Sequence, residues 1–229
     1  MKIVKKGFTL AEVLITLSII GVVASLTLPS LSSGHVKQQT AVSLSKAFSI
    51  LMNTNSLALV ESGGTDLQTI APVGSTLYHD TIKGALKTVP VTLTKTYKTY
   101  TGAAFSDITT TSSAFATYDG ITFIEGGTIS TNKDSSGLDK YNDRYYTIYV
   151  DTNGNIKGPN VLGRDLFVFY VDTKGEVIPV GGRLMNEYFN RSNQAPLWEG
   201  KCTKATVSTN DGFNCTGAIV DKNFTIDYF

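Results

Sequence analysis

The sequence predicts an α+β chain: a long N-terminal helix, membrane-spanning in its first half, packed through its second half on a small antiparallel β-sheet. Three observations carry that expectation. Residues 8–28 are nearly all apolar or small. Residues 41–58 repeat apolar side chains at helical spacing. Residues 118–180 hold four short runs of β-branched and aromatic residues separated by turn signals.

The apolar run FTLAEVLITLSIIGVVASLTL, taken as a helix at about 1.5 Å per residue, is about 31 Å long. That matches the hydrocarbon core of a bilayer, roughly 30 Å thick. Lys2, Lys5 and Lys6 precede it with no acid among them, which holds the start of the chain on the cytoplasmic side and sends the rest outward. The same segment is open to three readings: a secretory signal, with Ala24-Ser25 imitating its cleavage site, a plain anchor, or a leader of which only the basic stretch is removed. Glu12 decides among them. A carboxylate in an apolar span is costly and marks a partner, and neither a discarded signal nor a simple anchor requires one.

Beyond the membrane, Ala41, Leu44, Phe48, Leu51 and Ala58 form a helical stripe, with Lys37, Gln38, Ser45, Lys46 and Asn53 on the other sides. Gly63-Gly64 ends the pattern. One helix is therefore expected from about 8 to about 61, bent at Pro29. Its second half has too few Lys and Arg for a membrane-surface helix, so its apolar face is read as core.

Residues 65–115, rich in Thr, Ser and Gly, read as a connection between helix and sheet. The segment 89–100 within it fits strand or loop. Strands are expected at 118–124, 145–150, 166–171 and 176–180, with turns at 151–154 and 173–175. Cys202 and Cys215 are the two cysteines, close together in sequence. In an exported domain such a pair most often means one disulfide, whose loop of about 15 residues is worth around 3 kcal/mol in the chain-entropy picture. Neither His35 nor His79 is near enough in sequence to favour a metal site on two free thiols, and no CxxC pair is present.

Taken in order and spacing, KKGFTLAEVLITLSIIGVVASLTLP resembles the leader of type IV prepilins and type II secretion pseudopilins. The resemblance covers about the first 30 residues, and 151–172 is similar, more loosely, to the last sheet region of pseudopilin-like proteins. It implies a pilin-like fold and cleavage by a prepilin peptidase after Gly7. The new N-terminus is then Phe8, methylated by the same enzyme, with Glu12 fifth in the mature chain. Pro29 falls where pilins commonly bend. The implied division is leader 1–7, transmembrane and assembly helix 8–29, amphipathic helix 30–62 and exported β-rich body 63–229 with a C-terminal disulfide loop, a loop commonly surface-exposed in pilins.

In a staggered stack of such helices, Glu12 of one copy faces the Phe8 amine of the next. The implied protein is a structural subunit, pilin or pseudopilin, self-assembling on an inner-membrane platform and crossing the inner membrane once. The alternative is a minor pilin that binds an extracellular ligand such as DNA or a surface.

Other sites weigh less. Asp151, Asn153 and Asn155 alternate, with Asp165 downstream, which resembles the start of a calcium loop; some pseudopilins hold calcium in a late loop. But Gly154 and Leu162 stand where an EF-hand places other residues, and an Asx-rich turn is preferred. No cofactor is required on this reading, calcium being the one candidate. Charged residues are 17% of the chain and the formal net charge is +1, which argues against a nucleic-acid surface. Lys83, Lys87, Lys95 and Lys98 are the only clustered candidates, diluted by acids elsewhere. No nucleophile, zinc or phosphate-loop motif stands out, so the chain is not expected to be an enzyme.

Overall fold

The computed structural model describes residues 7–61, 63, 66–67, 80, 83–84, 86, 88–129, 145–188, 194–207 and 211–229. Leader residues 1–6 and Lys87 lie outside the described residues. The chain divides into two compact units, Met1–Gln39 and Thr40–Phe229. One helix, α1 (Leu10–Glu61), has its first residues in one unit and its last in the other, and it continues through Pro29.

In the first unit, Leu10–Thr27 is long and apolar enough to cross a membrane, and none of it is buried within the chain. Phe8, Leu14, Ile19 and Leu26 are all exposed. An apolar helix that its own chain leaves uncovered requires an apolar surrounding.

The second unit is built on a six-stranded sheet: β1 (Thr88–Pro90), β2 (Ala114–Thr117), β3 (Thr122–Ile129), β4 (Tyr145–Asp151), β5 (Leu166–Val171) and β6 (Val177–Pro179). The strands lie in sequence order, each antiparallel to the next. Pro90, which has no amide to donate, sits on the edge strand β1. Two short helices follow, α2 (Arg183–Tyr188) and α3 (Cys215–Asp221).

Both faces of the sheet are buried. On one, Leu44, Ala47 and Leu51 of α1 pack with Phe123, Ile148, Val150, Phe167, Phe169 and Val171, and Phe48 stacks on Phe169 at 5.8 Å. Fully burying each such leucine is worth about 1.5–3 kcal/mol. On the other face, Ile124, Tyr149, Leu166 and Val168 pack against Leu93, Tyr97 and Ile108. Residues 91–113 are therefore more than a connection: they form a second lid on the sheet. This explains why LFVFYV reads as an unbroken apolar run instead of alternating.

One strand expectation needs correction, and the open reading of 89–100 is resolved. Tyr118-Asp119-Gly120 is a turn, with Gly120 at φ +91°, so β3 starts at Thr122 and not at 118. The segment 89–100 contributes only the end of β1.

Candidate functional site

Three regions bear on function, and each is set by local chemistry. The first is the start of α1. Gly7, Phe8 and Thr9 are non-helical and Leu10 opens the helix. Thr9 donates both its amide and its hydroxyl to Glu12 Oε2 at 2.8 Å, and the Glu12 amide donates back to Thr9 Oγ1 at 3.3 Å. This is a reciprocal capping box: two backbone donors that the first helical turn leaves unpaired are satisfied. Phe8 is 89% exposed. Phe8, Glu12, Val13 and Thr16 line one open hollow. The structure thus brings Phe8 and Glu12 of the sequence-predicted set to one surface and adds Thr9. Thr9 was overlooked although Thr-x-x-Glu is itself the signature of a capping box.

The second region is the 151–165 loop. Asp151 and Asp165 are both buried, 0% and 2% exposed. Asp151 Oδ1 accepts from the amides of Asn153 (3.0 Å) and Gly154 (2.8 Å), and Oδ2 accepts from the Tyr97 hydroxyl at 2.7 Å. Asp165 accepts from the amides of Asn160 and Val161 at 2.8 and 2.7 Å, and from Asn153 Nδ2 at 3.4 Å. Burial is the main force on both carboxyls and raises both. It pushes Asp151 up to about 6, with the Asp165 charge adding to it.

A calcium ion needs several oxygens with free lone pairs turned to one point. Asn155 Oδ1 is turned elsewhere, accepting from the Thr94 and Lys95 amides at 2.8 Å each. The alternating set of the sequence therefore splits: Asn155 ties the loop to residues 94–95, while Asp151, Asn153 and Asp165 tie it to itself and to Tyr97. Asn153 Oδ1 and Asn160 Oδ1 are buried without a partner. Among the described residues no group of three or more His, Cys, Asp or Glu stands together as a metal cluster. The two carboxylates and Asn153 thus form a hydrogen-bonded knot with the loop backbone and Tyr97. Tyr97 and Asn160 carried no signal in the sequence, since each meets its partner only through the fold.

The third is the Cys202–Cys215 disulfide, with Cα atoms 5.3 Å apart. Both cysteines are fully buried. The cystine lies inside the core, among Trp198, Val207, Ile219 and Tyr228, while Lys204, Ala205 and Asp211 of the loop between the cysteines are exposed.

A family model described as N_methyl, Prokaryotic N-terminal methylation motif, matches residues 4–28. The chain carries a prepilin-type leader. Such a leader is the mark of type IV pilins and pseudopilins, and it implies peptidase processing and pilus-like assembly in general terms. The prepilin-type leader and the apolar start of α1 accord with a membrane and extracytoplasmic location. The fold behind the leader, a long apolar helix followed by an antiparallel sheet, is pilin-like. No curated protein and no solved structure matches the chain.

Proposed function

We propose that this chain is a structural subunit, a pilin or pseudopilin, of a type IV pilus-like or type II secretion filament. It is processed between Gly7 and Phe8 and polymerises through the first half of α1. The prepilin-type leader at residues 4–28 carries this reading. The uncovered apolar helix behind it supports the reading physically: it needs lipid before assembly and neighbouring copies after it. The precursor crosses the inner membrane once, start inside and body outside. Cleavage frees an amine at Phe8, and Glu12 of an adjacent copy is its counter-charge, since a buried charge is tolerated when paired. The pairing fixes the axial step, as one buried polar group fixes register in a coiled coil. On this reading the chain performs no catalysis.

The capping box gives a sharp test. Glu12→Gln retains an oxygen for the Thr9 donors and removes the charge. The variant should be cleaved and inserted normally, as read by a mobility shift and by a mature mass beginning at Phe8, yet be absent from sheared filaments. Normal incorporation of the Gln variant would remove the ion-pair role. A mature chain starting at Ser25, or uncut Met1, would remove the processing role.

We also read the Asp151–Asp165 knot as structural, with no cofactor required. Millimolar calcium should leave the melting temperature of the body unchanged, whereas a rise of several degrees would assign a cation to the loop.

A further inference from the structure

We propose that residues 226–229 form a strap that seals the Cys202–Cys215 disulfide against thiol attack. This inference is independent of the filament reading. After α3, the chain reverses through two left-handed residues, Asn223 (φ 52°) and Phe224 (φ 57°). The reversal is held by the Phe224 amide donating to Ile219 O at 2.7 Å and by the Lys222–Asp227 ion pair at 2.9 Å. Asn enters this region readily, but a bulky residue such as Phe224 does so only where surrounding contacts impose it.

Beyond the turn, the side chains alternate. Ile226 and Tyr228 are buried, while Thr225 and Asp227 are exposed, although residues 225–229 belong to no strand. Ile226 and Tyr228 join the apolar cluster that holds both cysteines. The buried Tyr228 hydroxyl donates to Gly163 O at 2.7 Å. Gly163 in turn lies against the cystine: a Cβ there would stand 3.0 Å from Cys215 Sγ. Tyr228 thus clamps the 162–163 backbone onto the sulfur. Two further contacts hold the turn before the strap and the end of the strap. Phe224 packs on Phe48 of α1 at 6.2 Å, and the Arg164 guanidinium lies over the Phe229 ring at 5.3 Å.

Reduction requires a thiolate to reach one sulfur, form a mixed disulfide and displace the other sulfur as thiolate. A second thiol of the reductant then releases the first cysteine. With both cysteines fully buried, a thiolate needs a local opening to reach them, and on this proposal that opening is the lifting of the strap.

The test uses the full chain in detergent, under native conditions, with dithiothreitol as the dithiol. Free thiols are trapped by alkylation and counted by mass. Removing the Tyr228 hydrogen bond in Tyr228→Phe should speed reduction by about five-fold, the size of one net hydrogen bond. A chain ending at Thr225 should be reduced faster still, by at least about ten-fold, because no local opening is then needed. Ile124→Val, in the cluster on the other face of the sheet, controls for global unfolding and should leave the rate unchanged. If Tyr228→Phe is reduced at the parent rate, or Ile124→Val accelerates as much as Tyr228→Phe, the strap is refuted. Should the shortened chain lose its near-ultraviolet circular dichroism, the comparison of Tyr228→Phe with Ile124→Val decides alone.

Discussion

Glu12 illustrates how one side chain serves two states. In the single chain its carboxylate closes the first turn of α1 with Thr9. In the proposed filament the same carboxylate meets a neighbour's amine, so assembly exchanges a local partner for a foreign one. Asp151 is the opposite case, a carboxylate wholly committed to its own fold. Burial pushes it up to about 6 and raises Asp165 as well. The folded chain therefore holds these protons more tightly than the unfolded chain, whose carboxyls titrate near 4. The sign follows: stability falls as pH rises through roughly 4 to 6, because the unfolded state has already released protons that the folded state still keeps. Holding the Asp151 proton up to about pH 6 instead of near 4 is worth something on the order of 3 kcal/mol. In chelator-containing buffer, the urea midpoint of the body should thus drop between pH 4 and pH 6.5. Asp151→Asn should flatten that slope, and an unchanged slope in the variant would move the titration elsewhere.

At the scale of elements, the sequence was most readable where a period was long or a run was pure. The stripe from Ala41 to Ala58 gave the second half of α1, and YYTIYV and LFVFYV gave β4 and β5 almost to the residue. β1 and β2 were missed because TVP and AFAT are too short to carry a period and lie in a Thr- and Ser-rich stretch. The second lid, residues 91–113, was missed for a related reason. Leu93, Tyr97, Phe105 and Ile108 are irregularly spaced, and only tertiary packing gathers them. The two short helices lack any stripe, and α3 even carries a glycine at its third position.

That glycine has a physical reason. Gly217 lies so close to the Gly181-Gly182 turn that a Cβ would collide with the Gly182 backbone. The Gly217 amide donates to Val180 O at 2.9 Å, and Thr216 Oγ1 accepts from the Val168 amide at 2.8 Å, so α3 is docked by its backbone and a hydroxyl. Ala at 217 improves helix propensity but forces the elements apart. Gly217→Ala should therefore destabilise by about 3 kcal/mol, the upper part of the range for overpacking. A urea midpoint equal to that of the parent would show that the turn yields freely.

For the whole molecule, the two units answer to different solvents. Leu10–Thr27 is stabilised by an apolar surrounding that the chain does not itself supply, whereas the body supplies its own interior. Leu51 is fully buried in that interior, on the same helix as Glu12 but in the other unit. Leu51→Ala leaves a cavity beneath the sheet and should cost about 2–5 kcal/mol. The span and the processing site contain none of the affected packing, so cleavage and insertion should proceed as in the parent. Glu12→Gln should give the mirror result, with a body of unaltered stability and failed assembly. The pair therefore forms a double dissociation along a single helix. Urea unfolding reports one unit, and leader processing together with filament content reports the other. Loss of processing in Leu51→Ala would mean that the peptidase senses the folded body, and α1 would then have to be treated as one cooperative rod and not as two segments with separate duties.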